Sequence, residues 1–316
     1  MSKLNFPPAE TLTLADGRVL GYTVYGDLAA TSRTVFYQHG FPGSRYEAAT
    51  WDAGARGRGI RLVAADRPGC GASTNQPNRT LLDWPADILA LASHLGAVKF
   101  AILGVSGGGP YTLALLHALP ATQCAGAAVV AGLYPHALGL ADLPLTTQAL
   151  MRLAPWSTWA VSKILDVAVG STARRTDNDD VVEKSMTDTI AGRGVPADTA
   201  IWDADPDIRA MLVASVRESL RAGCDGGAWD ACAYADWGFG LEDVQVGGGG
   251  PGQQRRLVLW HGAQDANVPI EQARRAAPLL RGAETRFYDD EGHLSIVAHK
   301  ADEVLEVLSR MLDGSE

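Results

Sequence analysis

Short apolar runs separated by glycine, proline and charged clusters set the rhythm of the first part of the chain. Leu12 to Tyr25 alternates in character around the pair Asp16-Gly17, a strong local hairpin signal, so two antiparallel strands are expected at the start. Thr34 to Gln38 and Ile60 to Ala65 each read as a strand, with a helix expected between them over 45–56. Leu81 to Leu95 has the spacing of an amphipathic helix. Phe100 to Val105 then predicts a strand, Tyr111 to Leu119 a helix and Gly126 to Gly132 another strand. Strands and helices that alternate in this way demand an α/β architecture, a mostly parallel central sheet with helices on both faces.

From Leu133 the alternation stops, and the segment to Val246 reads as helical, broken by proline and glycine. Gly247 to Gln254 has the composition of a flexible loop. Arg256 to Trp260 resumes the strand pattern, followed by a helix over Pro269 to Leu280, a last strand over Glu284 to Tyr288 and a closing helix over Ala301 to Leu312. The division expected is therefore a core in two parts, residues 1–133 and 247–316, interrupted by a helical insertion over 134–246. That insertion carries nearly the whole of the net charge of −9, and its acidic residues are expected on a solvated face. It also holds Trp156, Trp159, Trp202, Trp229 and Trp237, which are expected either to pack on the core or to line a cavity.

Composition narrows the range of functions. With 316 residues, 47% hydrophobic and 20% charged, the chain can bury a sizeable core and is unlike a disordered or fibrous protein. The negative balance and the lack of a basic cluster argue against nucleic acid and anionic membrane surfaces as partners. No stretch approaches the roughly 18 apolar residues of a membrane span, and the first residues lack the apolar run of a signal peptide, which predicts a cytoplasmic protein. Cys70, Cys124, Cys224 and Cys232 are scattered without metal-ligand spacing and are expected as free thiols.

Candidate chemistry centres on Gly104-Val105-Ser106-Gly107-Gly108. A serine between a predicted strand and a predicted helix, with glycine two positions before and two after, fits the G-x-S-x-G turn in which a nucleophilic hydroxyl is held clear of the sheet. Alone, the pentapeptide favours the catalytic reading while also fitting a glycine-rich turn with a bystander serine. A serine hydroxyl needs a base within hydrogen-bond reach and a third group to orient that base. Sites of open parallel sheets lie beyond the carboxyl ends of the strands. Asp265, just after the strand ending at Trp260, and His293, just after the strand ending at Tyr288, meet that condition. His39 and His261 also follow strands and are weaker candidates. Asp289, Asp290 and Glu291 lie near His293 in sequence.

The order Ser106, Asp265, His293, together with His39-Gly40-Phe41-Pro42, Asp66-Arg67-Pro68-Gly69-Cys70-Gly71 and His261-Gly262, resembles the capped α/β-hydrolase superfamily over residues 34 to 294. The resemblance implies an α/β-hydrolase fold with 134–246 as a helical cap. It implies Ser106 as nucleophile, His293 as base and Asp265 as the orienting acid, and it places the acid on the loop after the preceding strand, away from Asp290. It further assigns the oxyanion hole to the backbone N–H groups of Phe41 and Gly107. The activity implied is hydrolysis of a carboxylic ester or lactone of a small, largely apolar molecule, with no metal or organic cofactor. Relatives that open epoxides or displace halide carry aspartate at the elbow, and Ser106 argues against both. Hydrolysis of a C–C bond, an amide or a thioester, a non-hydrolytic lyase or cofactor-free use of an oxidant, and a small-molecule receptor on the same fold remain open alternatives.

Overall fold

The computed structural model describes residues 4–175, 179–247 and 255–314. Beyond Gly247, the glycine-rich loop expected over 247–254 lies outside the described residues. Eight strands, β1 (Glu10–Thr13), β2 (Val19–Gly26), β3 (Thr34–Gln38), β4 (Arg61–Ala65), β5 (Phe100–Val105), β6 (Cys124–Val130), β7 (Arg256–Gly262) and β8 (Glu284–Tyr288), form one sheet in the order β1-β2-β4-β3-β5-β6-β7-β8. β2 is antiparallel to β1 and to β4, and β3 through β8 run parallel. The opening hairpin pairs Thr13 with Val19 and turns through Gly17, whose φ of +84° a side chain would resist.

The central strands are mostly apolar, β5 and β6 throughout, because both of their faces are covered. Along β3, Phe36 belongs to one core while Val35 and Tyr37 belong to the other; along β7, Leu257 and Leu259 oppose Val258 and Trp260 in the same way. Helices α1 (Asp52–Gly57), α2 (Trp84–His94) and α3 (Gly109–Ala118) follow the early strands. α2 and α3 contribute Ile88, Leu91, Leu113 and Leu116 to the first core, and α1 contributes Ala55 to the second. Each such leucine or isoleucine, fully buried, contributes about 1.5–3 kcal/mol. The span 45–56, predicted as one helix, is a 3₁₀ segment, Arg45–Trp51, followed by α1. Arg45 binds Asp66 through both its backbone N–H and its guanidinium, which ties this first turn to the loop after β4.

Among the described residues between β6 and β7 the chain forms seven α-helices: α4 (Leu145–Leu153), α5 (Thr158–Leu165), α6 (Ser171–Arg175), α7 (Asp179–Arg193), α8 (Pro196–Ala204), α9 (Pro206–Ser219) and α10 (Asp225–Ala235). They share a small apolar core of their own that includes Val161, Leu165, Val216, Leu220 and Ala228. The chain then re-enters the sheet and ends in α11 (Ile270–Ala276), α12 (His293–His299) and α13 (Ala301–Asp313).

Two expectations for the helical segment need correction. Trp202 and Trp237 are buried and Trp229 is half-buried, but Trp156 and Trp159 are 87% and 71% exposed. α5 turns Val161 and Leu165 inward, one helical turn apart, and Trp159 lies off that stripe. Nor are the acidic residues all on a solvated face, since Asp198 and Asp230 are buried. Asp230 is held by the guanidinium groups of Arg67 (2.9 Å) and Arg79 (2.6 Å) and by the Tyr111 hydroxyl (2.6 Å). Burial would push its carboxyl up, but the two cations outweigh that and hold it at about 2.

Candidate active site

Ser106 occupies the turn between β5 and α3 with φ +52°, a left-handed conformation that costs a non-glycine residue about 1–2 kcal/mol. The turn survives because its surroundings fix it. Leu133 donates its backbone N–H to the Ser106 carbonyl at 3.1 Å. A side chain at Gly104 would collide with Thr112 Oγ1, and one at Gly108 would collide with the Gln38 carbonyl at the end of β3. Glycine at both positions thus reflects two strands and a helix meeting at contact distance.

Asp265 lies on the loop after β7 and His293 at the start of α12, after β8. Asp265 Oδ1 accepts the backbone N–H groups of Asn267 and Val268, each at 2.8 Å, which aims the carboxylate. Its Oδ2 is 2.7 Å from His293 Nδ1. Burial opposes the charged form of each partner. The attraction between them outweighs it, so the Asp265 carboxyl is held far below the usual range and His293 is raised above its ordinary 6.5. With Nδ1 engaged by a carboxylate, the proton sits there and Nε2 is left as the basic nitrogen. His261 Nε2 is 2.7 Å from the Val268 carbonyl and 3.4 Å from Asp265, so His261 braces the acid's loop. His39 lies wholly within the core, its Nε2 accepting the Arg67 backbone N–H at 3.2 Å.

Ser106 and His293 face the same two cavities, although no hydrogen bond joins them among the described residues. Contacts of this kind are often long without substrate and tighten when it binds. The larger cavity, of about 380 Å³, has apolar walls from Trp51, Met186, Ile190, Met211, Leu212 and Val216. The smaller, of about 200 Å³, is bounded by Leu133, Leu150, Met151 and Val268. Phe41, Ser106, Arg193, Asn267 and His293 line both, so the serine sits where they meet. None of the five tryptophans of the helical segment lines either one. Phe41 and Gly107 are adjacent: a side chain at Gly107 would lie 2.7 Å from Phe41 Cβ and 3.1 Å from Phe41 N.

Three carboxylates near the site escaped the sequence reading. Glu47 is buried against the larger cavity and accepts the Gly40 N–H at 2.7 Å; burial pushes its carboxyl up to about 7. Asp230 anchors Arg67, whose guanidinium also donates to the carbonyls of His39 and Gly40. Asp198 accepts three backbone N–H groups at the start of α12. The faint signal for the last is Gly292, where any side chain would strike the Asp198 carboxylate. Asp289 and Asp290 are exposed, and Glu291 is engaged by His299 and Lys300.

The sequence profile described as the alpha/beta hydrolase family matches residues 39–307. No curated protein sequence matches the chain. Among solved structures, a thermophilic esterase from Thermogutta terrifontis is similar with TM-score 0.64 at 18% identity, covering 97% of this chain and 98% of that one. An enol-lactonase from Burkholderia xenovorans gives 0.64 at 17% identity, over 96% and 100% of the two chains. A hydrolase from Pseudomonas aeruginosa gives 0.63 at 18%, over 98% and 100%.

Proposed function

Since the chain belongs to the alpha/beta hydrolase family, we propose that it is a serine hydrolase cleaving a carboxylic ester or lactone of a small, largely apolar molecule. The observation that carries this reading is the partly buried 2.7 Å bond between Asp265 and His293, with His293 lining the same cavities as a serine held at φ +52°. Ser106 Oγ attacks the carbonyl carbon while His293 Nε2 takes its proton. The N–H groups of Phe41 and Gly107 receive the developing oxyanion, a contribution on the order of 3 kcal/mol apiece. The intermediate collapses, the alcohol leaves with the proton from His293, and water repeats the sequence on the acyl-enzyme to release the acid. Asp265 fixes the imidazole tautomer and stabilises the imidazolium.

On this reading residues 134–246 act as a cap, and the two cavities divide the substrate. Its larger apolar group fills the space under α7 and α9, and its smaller group the space beside α4 and Leu133. The enol-lactonase and esterase neighbours agree with this chemistry. Purified protein is expected to react with a fluorophosphonate probe and to turn over a short p-nitrophenyl ester. Ser106→Ala is expected to abolish both at an unchanged melting temperature. Activity retained within tenfold of the parent would end the assignment.

A further inference from the structure

The first N–H groups of a helix have no partner inside it and take one from the residue preceding the helix or from elsewhere. In α12, which begins with His293, the preceding residue is Gly292 and has no side chain to offer. The acceptor comes instead from α8, far away in sequence. Asp198 Oδ2 accepts the N–H of His293 at 3.0 Å, and Oδ1 accepts those of Leu294 at 2.8 Å and Ser295 at 2.9 Å. Asp198 is only 7% exposed, and its carboxylate lies directly over Gly292. Just before α8, Arg193 Nη1 donates to the carbonyl of Ala266, the residue after Asp265, at 3.0 Å. One short stretch of the insertion therefore holds both the turn that presents His293 and the loop that presents Asp265.

We propose that Asp198 is a positioning residue for the catalytic base, so that the insertion completes the acid–base pair as well as roofing the substrate. Its three hydrogen bonds fix the turn from which the imidazole projects. Its charge stands close enough to act on the ring. Asp265, bonded to the ring, and Asp198, bonded to its backbone N–H, favour the imidazolium, Arg193 opposes it, and Glu47 lines the same cavity as His293. This inference rests on the serine-hydrolase reading above. It adds to that reading a second carboxylate, supplied by another part of the chain and acting through the backbone.

The test uses the full chain and measures the rate of Ser106-dependent fluorophosphonate labelling against pH. Asp198→Asn keeps an acceptor oxygen for part of the turn but loses the charge. It is expected to move the acid limb of the labelling profile to lower pH and to slow labelling about tenfold at the plateau. Asp198→Ala is expected to slow it about a hundredfold, the effect of a misplaced catalytic group. Asp205→Asn is the control. Asp205 caps α9 through the N–H groups of Asp207 (2.8 Å) and Ile208 (3.3 Å), so its loss loosens the insertion without touching α12. It is expected to leave the midpoint in place. Near-UV circular dichroism reports whether each variant is folded, and Asp198→Asn carries the test if the alanine variant is not. A parent-like midpoint and rate in Asp198→Asn would overturn the inference, as would an equal shift in Asp205→Asn. Labelling of the parent that survives Ser106→Ala would instead overturn the serine-hydrolase reading beneath it.

Discussion

The Ser106 turn and the helical insertion line the same cavities, and buried ion pairs take part in holding only the second. At the turn, position is set by contact: Gly104 and Gly108 let β3, β5 and α3 close to touching distance. The insertion packs Leu143, Met151, Tyr234, Trp237 and Leu241 into the main core beside a small core of its own, and is fastened further by buried carboxylates, Asp230 to Arg67 and Arg79, and Asp198 to α12. A nucleophile must stay within a fraction of an ångström, which close packing provides. The insertion adds to its apolar contacts directional bonds between residues distant in sequence.

The sharpest way to probe the turn's side of this contrast is through the acid. Asp265→Asn is expected to lower turnover about 10⁴-fold, as loss of an orienting carboxylate does in serine enzymes, while the exposed Asp290→Asn leaves it near the parent value. The parent profile also has a fixed sign. If His293 is the base, as proposed, kcat/KM is expected to rise with pH through a midpoint above the ordinary 6.5, because Asp265 more than offsets burial. An Asp290→Asn effect as large as that of Asp265→Asn would reassign the acid.

Next in size is the insertion's fastening. Asp230→Ala leaves two buried guanidinium groups without their carboxylate and is expected to cost about 3–5 kcal/mol of stability, read from denaturant unfolding. The pH dependence follows from the same pair. Asp230 has its carboxyl lowered from 3.8 to about 2, so its contribution is complete above pH 3.8 and is lost as the pH falls through about 2. Stability unchanged in Asp230→Ala would remove the contrast drawn above.

A smaller effect is expected from the packing side. Gly108→Ala drives a methyl group against the Gln38 carbonyl, and the resulting displacement of the elbow is expected to reduce kcat/KM about a hundredfold while the protein remains folded. The smallest is at the surface. Trp156→Ser and Trp159→Ser are expected to change stability by no more than about 0.5 kcal/mol and to leave the preference between bulky and small esters unaltered.

These differences explain what could be read from the chain. The strands, their order of appearance and the positions of Ser106, Asp265 and His293 beyond strand ends were legible, because apolar runs, glycine spacing and strand-end loops are local signals. The split of 45–56 into a 3₁₀ turn and α1 was not, since it turns on Arg45 meeting Asp66 across the sheet edge. Asp198 and Asp230 looked like ordinary acids on helical faces; their burial depends on Gly292, Arg67 and Arg79, each remote in sequence. Trp156 and Trp159 misled for the converse reason. Their size suggested burial, whereas the helical phase of Val161 and Leu165 had already claimed the inner face of α5.

The Arg67–Asp230–Arg79 cluster bears on how such an insertion can be exchanged. Excising residues 134–246 would strip the carboxylate from two arginines that belong to the core, and the first turn of α12 would lose its acceptor at the same stroke. A foreign insertion grafted onto this sheet must therefore bring a carboxylate to each of those two places, or arrive together with replacements at Arg67, Arg79 and Gly292. The insertion is replaceable only in company with the core residues that answer it.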